Sequence, residues 1–162
     1  MIGVGVLENA EGSVAYVLVF ILAAIPWIEL LLVIPVGVAI GLNPLAVAVL
    51  AATGNLATVY LLVFAHDSLS SFWKKFRLND NDTEPEGRKR RAMRTWDTYG
   101  LPGLAMIAPI ATGTHLAALI ALSLGSRKYS VILWMSLSIL LWTVVVTIIS
   151  YYGIESLKWF LG

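Results

Sequence analysis

The chain has 162 residues, 59% hydrophobic and 13% charged, with mean hydropathy +0.83 and net charge +1. Soluble domains carry about 25% charged residues, so a water-soluble globule of this size is excluded: its surface would lack charge. Without cysteine, disulfides, thiolate metal sites and cysteine nucleophiles are excluded too, while the compartment stays open.

Residues 1–13 are mildly acidic through Glu8 and Glu11. No Lys or Arg precedes Val14, so the basic region of a secretory signal is missing, and the first apolar run is expected to be mature structure. From Val14 to Ala65 the only formal charge is Glu29, and Pro26, Pro35, Gly37 and Gly41 interrupt the run. Asn43-Pro44 marks a turn, after which residues 45–65 form a clean span rich in Ala and Val. His66 to Thr98 is polar. Its middle, Leu78 to Gly87, has the composition of a disordered loop. Lys74, Lys75 and Arg77 precede that loop, and Arg88, Lys89, Arg90, Arg91 and Arg94 follow it. Tyr99 to Gly125 is uncharged and broken by Pro102, Gly103, Pro109 and Gly113. Gly125 to Lys128 is a turn, Tyr129 to Tyr152 a second clean span, and the tail carries Trp159 and Phe160 beside Lys158, a composition suited to the membrane interface.

Spanning helices need about 20 mainly apolar residues. Continuous apolar runs contradict the alternation of a β-barrel, so helices are left to satisfy the backbone in lipid. The expected fold is therefore an all-α integral membrane protein. It comprises repeat 1 (about 14–65), a loop (66–98), repeat 2 (about 99–153) and an interfacial tail (154–162). Each repeat is a broken block followed by a clean span. The blocks, 14–42 and 99–125, are long for one crossing and short for two. They are either re-entrant hairpins, which makes the halves inverted repeats, or kinked full spans. Paired discontinuous elements favour the hairpins. Eight of the eleven basic residues fall in 66–98, which places that loop in the cytoplasm of a multi-pass protein of the inner (plasma) membrane.

Pro26-Trp27-Ile28-Glu29-Leu30 running into Ile34-Pro35-Val36-Gly37 resembles the first-repeat signature of the small multi-drug export proteins, a P-x-x-E-L-R stretch leading to I-P-x-G. Gly54-Asn55 falls where that family has a Gly-Asn pair, and Pro109 to Ala121 is similar to its T-G segment ending in A-L-I-A. The resemblance covers about residues 20 to 150 without the central loop. Leu31 replaces the family's frequent Arg, and the second segment is shortened and lacks a proline. The family name records a presumed export activity. The architecture is similar to that of DedA proteins, whose paired re-entrant hairpins are associated with lipid-carrier translocation.

Glu29 stands out because a carboxylate at membrane depth is costly and marks a functional group by default. It reads as a coupling or substrate-binding carboxylate; the plainer alternative is a neutral carboxyl bonded to broken-helix backbone. His115 is a candidate partner if the two breaks meet near the midplane, and otherwise a histidine near the membrane surface bonded to a carbonyl. Thr112 and Thr114, with Gly113 between them, offer an anion site at a helix start or ordinary capping. Pro35, Gly37 and Pro109 form the breaks, and Asn55 bonds across to one of them. Ala48, Ala52, Ala117 and Ala121 favour close helix contacts, within or between protomers. Arg88, Lys89, Arg90, Arg91 and Arg94 read as a cytoplasmic lipid anchor or a funnel for phosphate-bearing head groups.

No G-x-S-x-G, H-E-x-x-H or P-loop pattern occurs, so no enzyme activity, cofactor or metal site is expected, nor any nucleic-acid partner. The expected function is a small transporter or flippase for an amphipathic or anionic substrate, drug-like or a lipid phosphate, with proton coupling. Its partners are membrane lipid and a second copy in a homodimer. The alternative is a non-transporting scaffold or partner subunit.

Overall fold

The computed structural model describes the backbone of residues 12–26, 28–76 and 86–161, and the side chains of all of these except 67–95, 97, 98, 157, 158 and 161. Every described element is an α-helix, in the order α1 (Ser13–Ala24), α2 (Glu29–Ala39), α3 (Pro44–Phe76), α4 (Glu86–Ala111), α5 (Thr114–Ser123) and α6 (Lys128–Leu161).

α1 buries Ala15, Val19, Leu22 and Ala23, a stripe at helical spacing. It stops because Pro26 follows: the residue before a proline is pushed out of helical backbone, and Ile25 is extended (φ −79°, ψ 123°). α2 then starts at Glu29 and runs through Pro35. The break expected at Pro35–Gly37 therefore lies about two turns earlier, at residues 25–28. Pro35 sits inside a continuous helix, and Gly37 serves close packing, since a Cβ there would lie 2.9 Å from Val47 Cγ1. α2 ends at Gly41, whose φ of 88° suits glycine. Asn43 caps α3 by accepting the N–H groups of Leu45 (3.0 Å) and Ala46 (3.1 Å), with Pro44 at the first helical position.

α4 is broken at Gly100 (φ 64°, ψ −159°), a backbone conformation essentially restricted to glycine. Residues 101–111 form its apolar part, with Pro102 in its first turn. The second break falls at Thr112-Gly113, within the expected Pro109–Gly113 stretch, but Pro109 itself, like Pro35, lies inside a helix. The spans are longer than expected. Pro44–His66 and Lys128–Ser156 are the stretches apolar and long enough to cross a bilayer among the described residues, and α6 continues through the tail to Leu161.

Two hydrogen-bonded anchors fix the first half. The Asn43 N–H donates to the Tyr16 hydroxyl (3.1 Å), so the start of α1 lies at the end of α2 and the chain folds back between them. Were α1 and α2 one continuous crossing, those ends would stand about 40 Å apart at 1.5 Å per residue. At the other end of α1, the Thr58 hydroxyl donates to the Ala24 carbonyl (2.8 Å). A Cβ at Gly54 would strike the Phe20 carbonyl oxygen. α1 is thus pressed against the middle of the α3 span.

Two stretches of the chain show the same burial pattern 84 residues apart. Residues 84 positions apart share burial: Leu30, Val33, Ile34, Gly37, Val38, Val47, Ala51, Gly54, Asn55 and Val59 are buried, and so are Thr114, Ala117, Ala118, Ala121, Leu122, Val131, Met135, Ser138, Ile139 and Thr143. The turns match as well. Leu42 N–H donates to Gly37 O and Ser126 N–H to Ala121 O, with Gly41 and Gly125 both at φ 88°. The described residues fall into two compact units, one from Met1–Thr58 and Leu137–Gly162, the other from Val59–Ser136. Each takes part of α3 and part of α6.

Candidate functional site

Glu29 is the first residue of α2, and the sequence places it there because Pro26 ends α1 just before. Its N–H donates to Ile25 O (3.4 Å) and the N–H of Ile28 to the same oxygen (3.1 Å), so the break is one tight turn. The residue is only 7% exposed. Among the described residues it alone, apart from glycines, has a positive φ (42°). A non-glycine residue in left-handed backbone carries strain of about 1–3 kcal/mol, and such strain concentrates at functional sites. The position 84 residues on is Gly113, with φ 90°.

The depth of this turn follows from α3. Gly54 and Thr58 hold Phe20 and Ala24, at the end of α1. Asn55, next to Gly54, is fully buried and lies midway along Pro44–His66. Glu29 and Asn55 thus belong to the middle of the span, with the carbonyl end of α1 beside them. Pro35 and Gly37 share their unit without lying at the break.

Pro109, Thr112, Gly113, Thr114 and His115 come together in the second unit. The N–H groups of Thr112 (3.0 Å) and Gly113 (2.6 Å) both donate to Ala108 O, which closes α4 and starts α5 without a side-chain cap. The Thr112 hydroxyl donates to Gly113 O (3.4 Å), and Thr114 Oγ1 lies 3.4 Å from His115 Nδ1. His115 is 2% exposed. Glu29 falls in one unit and His115 in the other.

Ala48, Ala52, Ala117 and Ala121 are buried, so their small side chains serve packing within the protomer. Arg88, Lys89, Arg90, Arg91 and Arg94 lie on the backbone of α4, but their side chains are outside the described residues. So are Glu8, Trp27 and most of the 78–87 loop. Sequence reasoning missed Tyr16, Thr58, Ser138 and Thr143, the last two buried in α6. Each is an isolated hydroxyl in an apolar run, which by itself reads as a bond to the preceding turn.

A sequence profile of the family described as Putative small multi-drug export protein matches residues 29–145, from Glu29 into the α6 span. No curated protein and no solved structure matches the chain.

Proposed function

The chain belongs to the small multi-drug export protein family, and from that premise we propose a secondary transporter or flippase that couples to protons through Glu29. Its substrate is amphipathic or anionic, a drug-like molecule or a lipid phosphate, moved across the inner (plasma) membrane. The observation that carries this reading is Glu29 itself: a carboxyl buried at mid-span, on strained backbone, at a helix break. A carboxyl at such a place suits a cycle of proton uptake and release.

The architecture we infer is two inverted repeats, each a re-entrant hairpin and a spanning helix. The fold-back between Tyr16 and Asn43 supports the first hairpin over a kinked full span. The recurrence of burial and turns 84 residues on supports a second copy. Inversion is supported by the units: the start of α3 shares one with the end of α6, and the end of α3 shares the other with the start of α6. Antiparallel helices give that exchange. In this reading α5 presents its N-terminal amides, with Thr112, Thr114 and His115, to an anionic group, and the basic residues 88–94 draw head groups towards the cytoplasmic face.

The test is substrate flux or lipid flipping in proteoliposomes under an imposed pH gradient. Glu29→Gln keeps shape and most hydrogen bonding but abolishes the charge change. It should fold, insert and lose gradient-driven activity at least tenfold. A fully active Gln variant with unchanged pH dependence would make Glu29 structural and remove the proposed mechanism.

A further inference from the structure

α4 joins two unlike segments at one point. Tyr99–Ala111 is apolar and uncharged, while residues 88–98 hold five basic residues against one acid, Asp97. The join is Gly100, whose non-helical backbone (φ 64°, ψ −159°) takes residues 86–99 off the axis of 101–111. A second glycine makes room for that change of direction. A Cβ at Gly103 would strike the Tyr99 side chain, although positions four apart in a continuous helix keep their Cβ atoms about 5–6 Å from each other. Helical spacing within 86–99 then sorts its residues. Ala92, Met93, Trp96 and Tyr99 share one face, and Arg90, Arg91, Arg94 and Thr98 share the opposite one. Trp96 is half-buried and Tyr99 is 66% exposed, so the apolar face is open where it meets the kink.

We propose that residues 86–99 are an interfacial helix lying along the bilayer surface that 101–111 enters, and that its partner is anionic phospholipid. Two other courses fail on physical grounds. Continued straight into hydrocarbon, the helix would carry five cations with it, each strongly disfavoured there. Continued straight into water, it would leave the Met93, Trp96 and Tyr99 face wet within two turns of an apolar segment. Lying flat meets both demands, and a kink at Gly100 permits it. An apolar face with Trp and Tyr suits the head-group level, and a basic opposite face suits an anionic surface. Arginine binds phosphate through paired charged hydrogen bonds, which fits Arg90, Arg91 and Arg94 to lipid phosphate. Lys89 falls on the apolar side, where a long stem can carry its charge back to the head groups. The proposal goes beyond a basic patch that attracts head groups: it inserts a stated face and makes Gly100 the joint that sets its level. It holds whether or not the chain transports.

The experiment uses the full chain, which has no cysteine, with single spin-labelled cysteines placed in turn at positions 88–99. Each is reconstituted in nanodiscs of phosphatidylcholine with or without phosphatidylglycerol. Relative to a water-soluble nickel chelate, oxygen should relax labels at 92, 93, 96 and 99 several-fold more than labels at 90, 91, 94 and 98. Phosphatidylglycerol should sharpen that contrast. Arg90→Gln, Arg91→Gln and Arg94→Gln together, read at positions 93 and 98, should remove the sharpening. Equal access of the chelate to every position would put the helix in water and overturn the proposal. Exclusion of both reagents from 92, 93, 96 and 99 would overturn it too, because that face would then pack on protein. A contrast indifferent to phosphatidylglycerol would reject anionic lipid as the partner. None of these readouts involves flux, so the proposal and the transport reading stand or fall separately.

Discussion

At the scale of single residues, Glu29 is where backbone and side chain disagree. A left-handed φ of 42° asks for glycine, and the buried setting asks for an apolar group. Glu29→Gly relieves the first demand, and Glu29→Gln leaves it in place. The Gly variant should therefore unfold at a temperature no lower than the Gln variant, although both lose coupling; circular dichroism melting in detergent measures this. A Gly variant that melts well below Gln would mean the side chain, not the strain, dominates the local energy. Thr58 gives a second residue-scale test. Its hydroxyl reaches Ala24 O in another helix, so Thr58→Val should cost about 1 kcal/mol. Thr53 bonds only carbonyls of its own helix and is exposed, so Thr53→Val should melt within a degree or two of wild type.

At the scale of elements, glycine decides how closely helices meet and where they turn. Gly54 lets α3 touch the carbonyl of Phe20. Gly54→Ala has to push α1 away and should destabilise the chain by about 1–3 kcal/mol. Since α1 leads directly into the Glu29 turn, the same variant should also depress transport, read as a lower flux at equal reconstituted amounts. Gly100 works differently. A Cβ there would meet only Pro102 Cδ at an ordinary 3.8 Å, but its backbone is glycine-only, so Gly100→Ala should cost about 1–3 kcal/mol through strain. An unchanged melting temperature would mean that residues 86–99 straighten onto 101–111 in the variant.

On the scale of the whole molecule, inverted hairpins place both termini on one side and residues 66–98 on the other. The chain has no cysteine, so single cysteines at positions 8, 80 and 156 report cleanly. Positions 8 and 156 should label only from outside and position 80 only from the cytoplasm; labels at 8 and 156 on opposite faces would rule the arrangement out. A homodimer remains our expectation, because one protomer of two spans and two hairpins offers little interior. Since Ala48 and Ala52 are buried in the protomer, the contact must use other surfaces. Crosslinking in native membranes that yields monomer alone would count against it.

The membrane class was legible in composition alone, because lipid leaves no other use for long uncharged runs. So were the Asn43-Pro44 turn and the break at Gly113, where one residue's geometry fixes the local backbone. Membership of the family was legible too, since its motifs are local words. Proline by itself did not locate the first break. Pro26 and Pro35 look alike in sequence, and packing of α1 on Gly54 and Thr58 left Pro26 in the turn and Pro35 within α2. The broken block already favoured a fold-back, and its direct support is a bond between Tyr16 and Asn43, 27 residues apart, which no periodicity encodes. The depth of Glu29 was decided the same way: sequence put a carboxyl in an apolar run, and the contacts of α1 with α3 set it at mid-span.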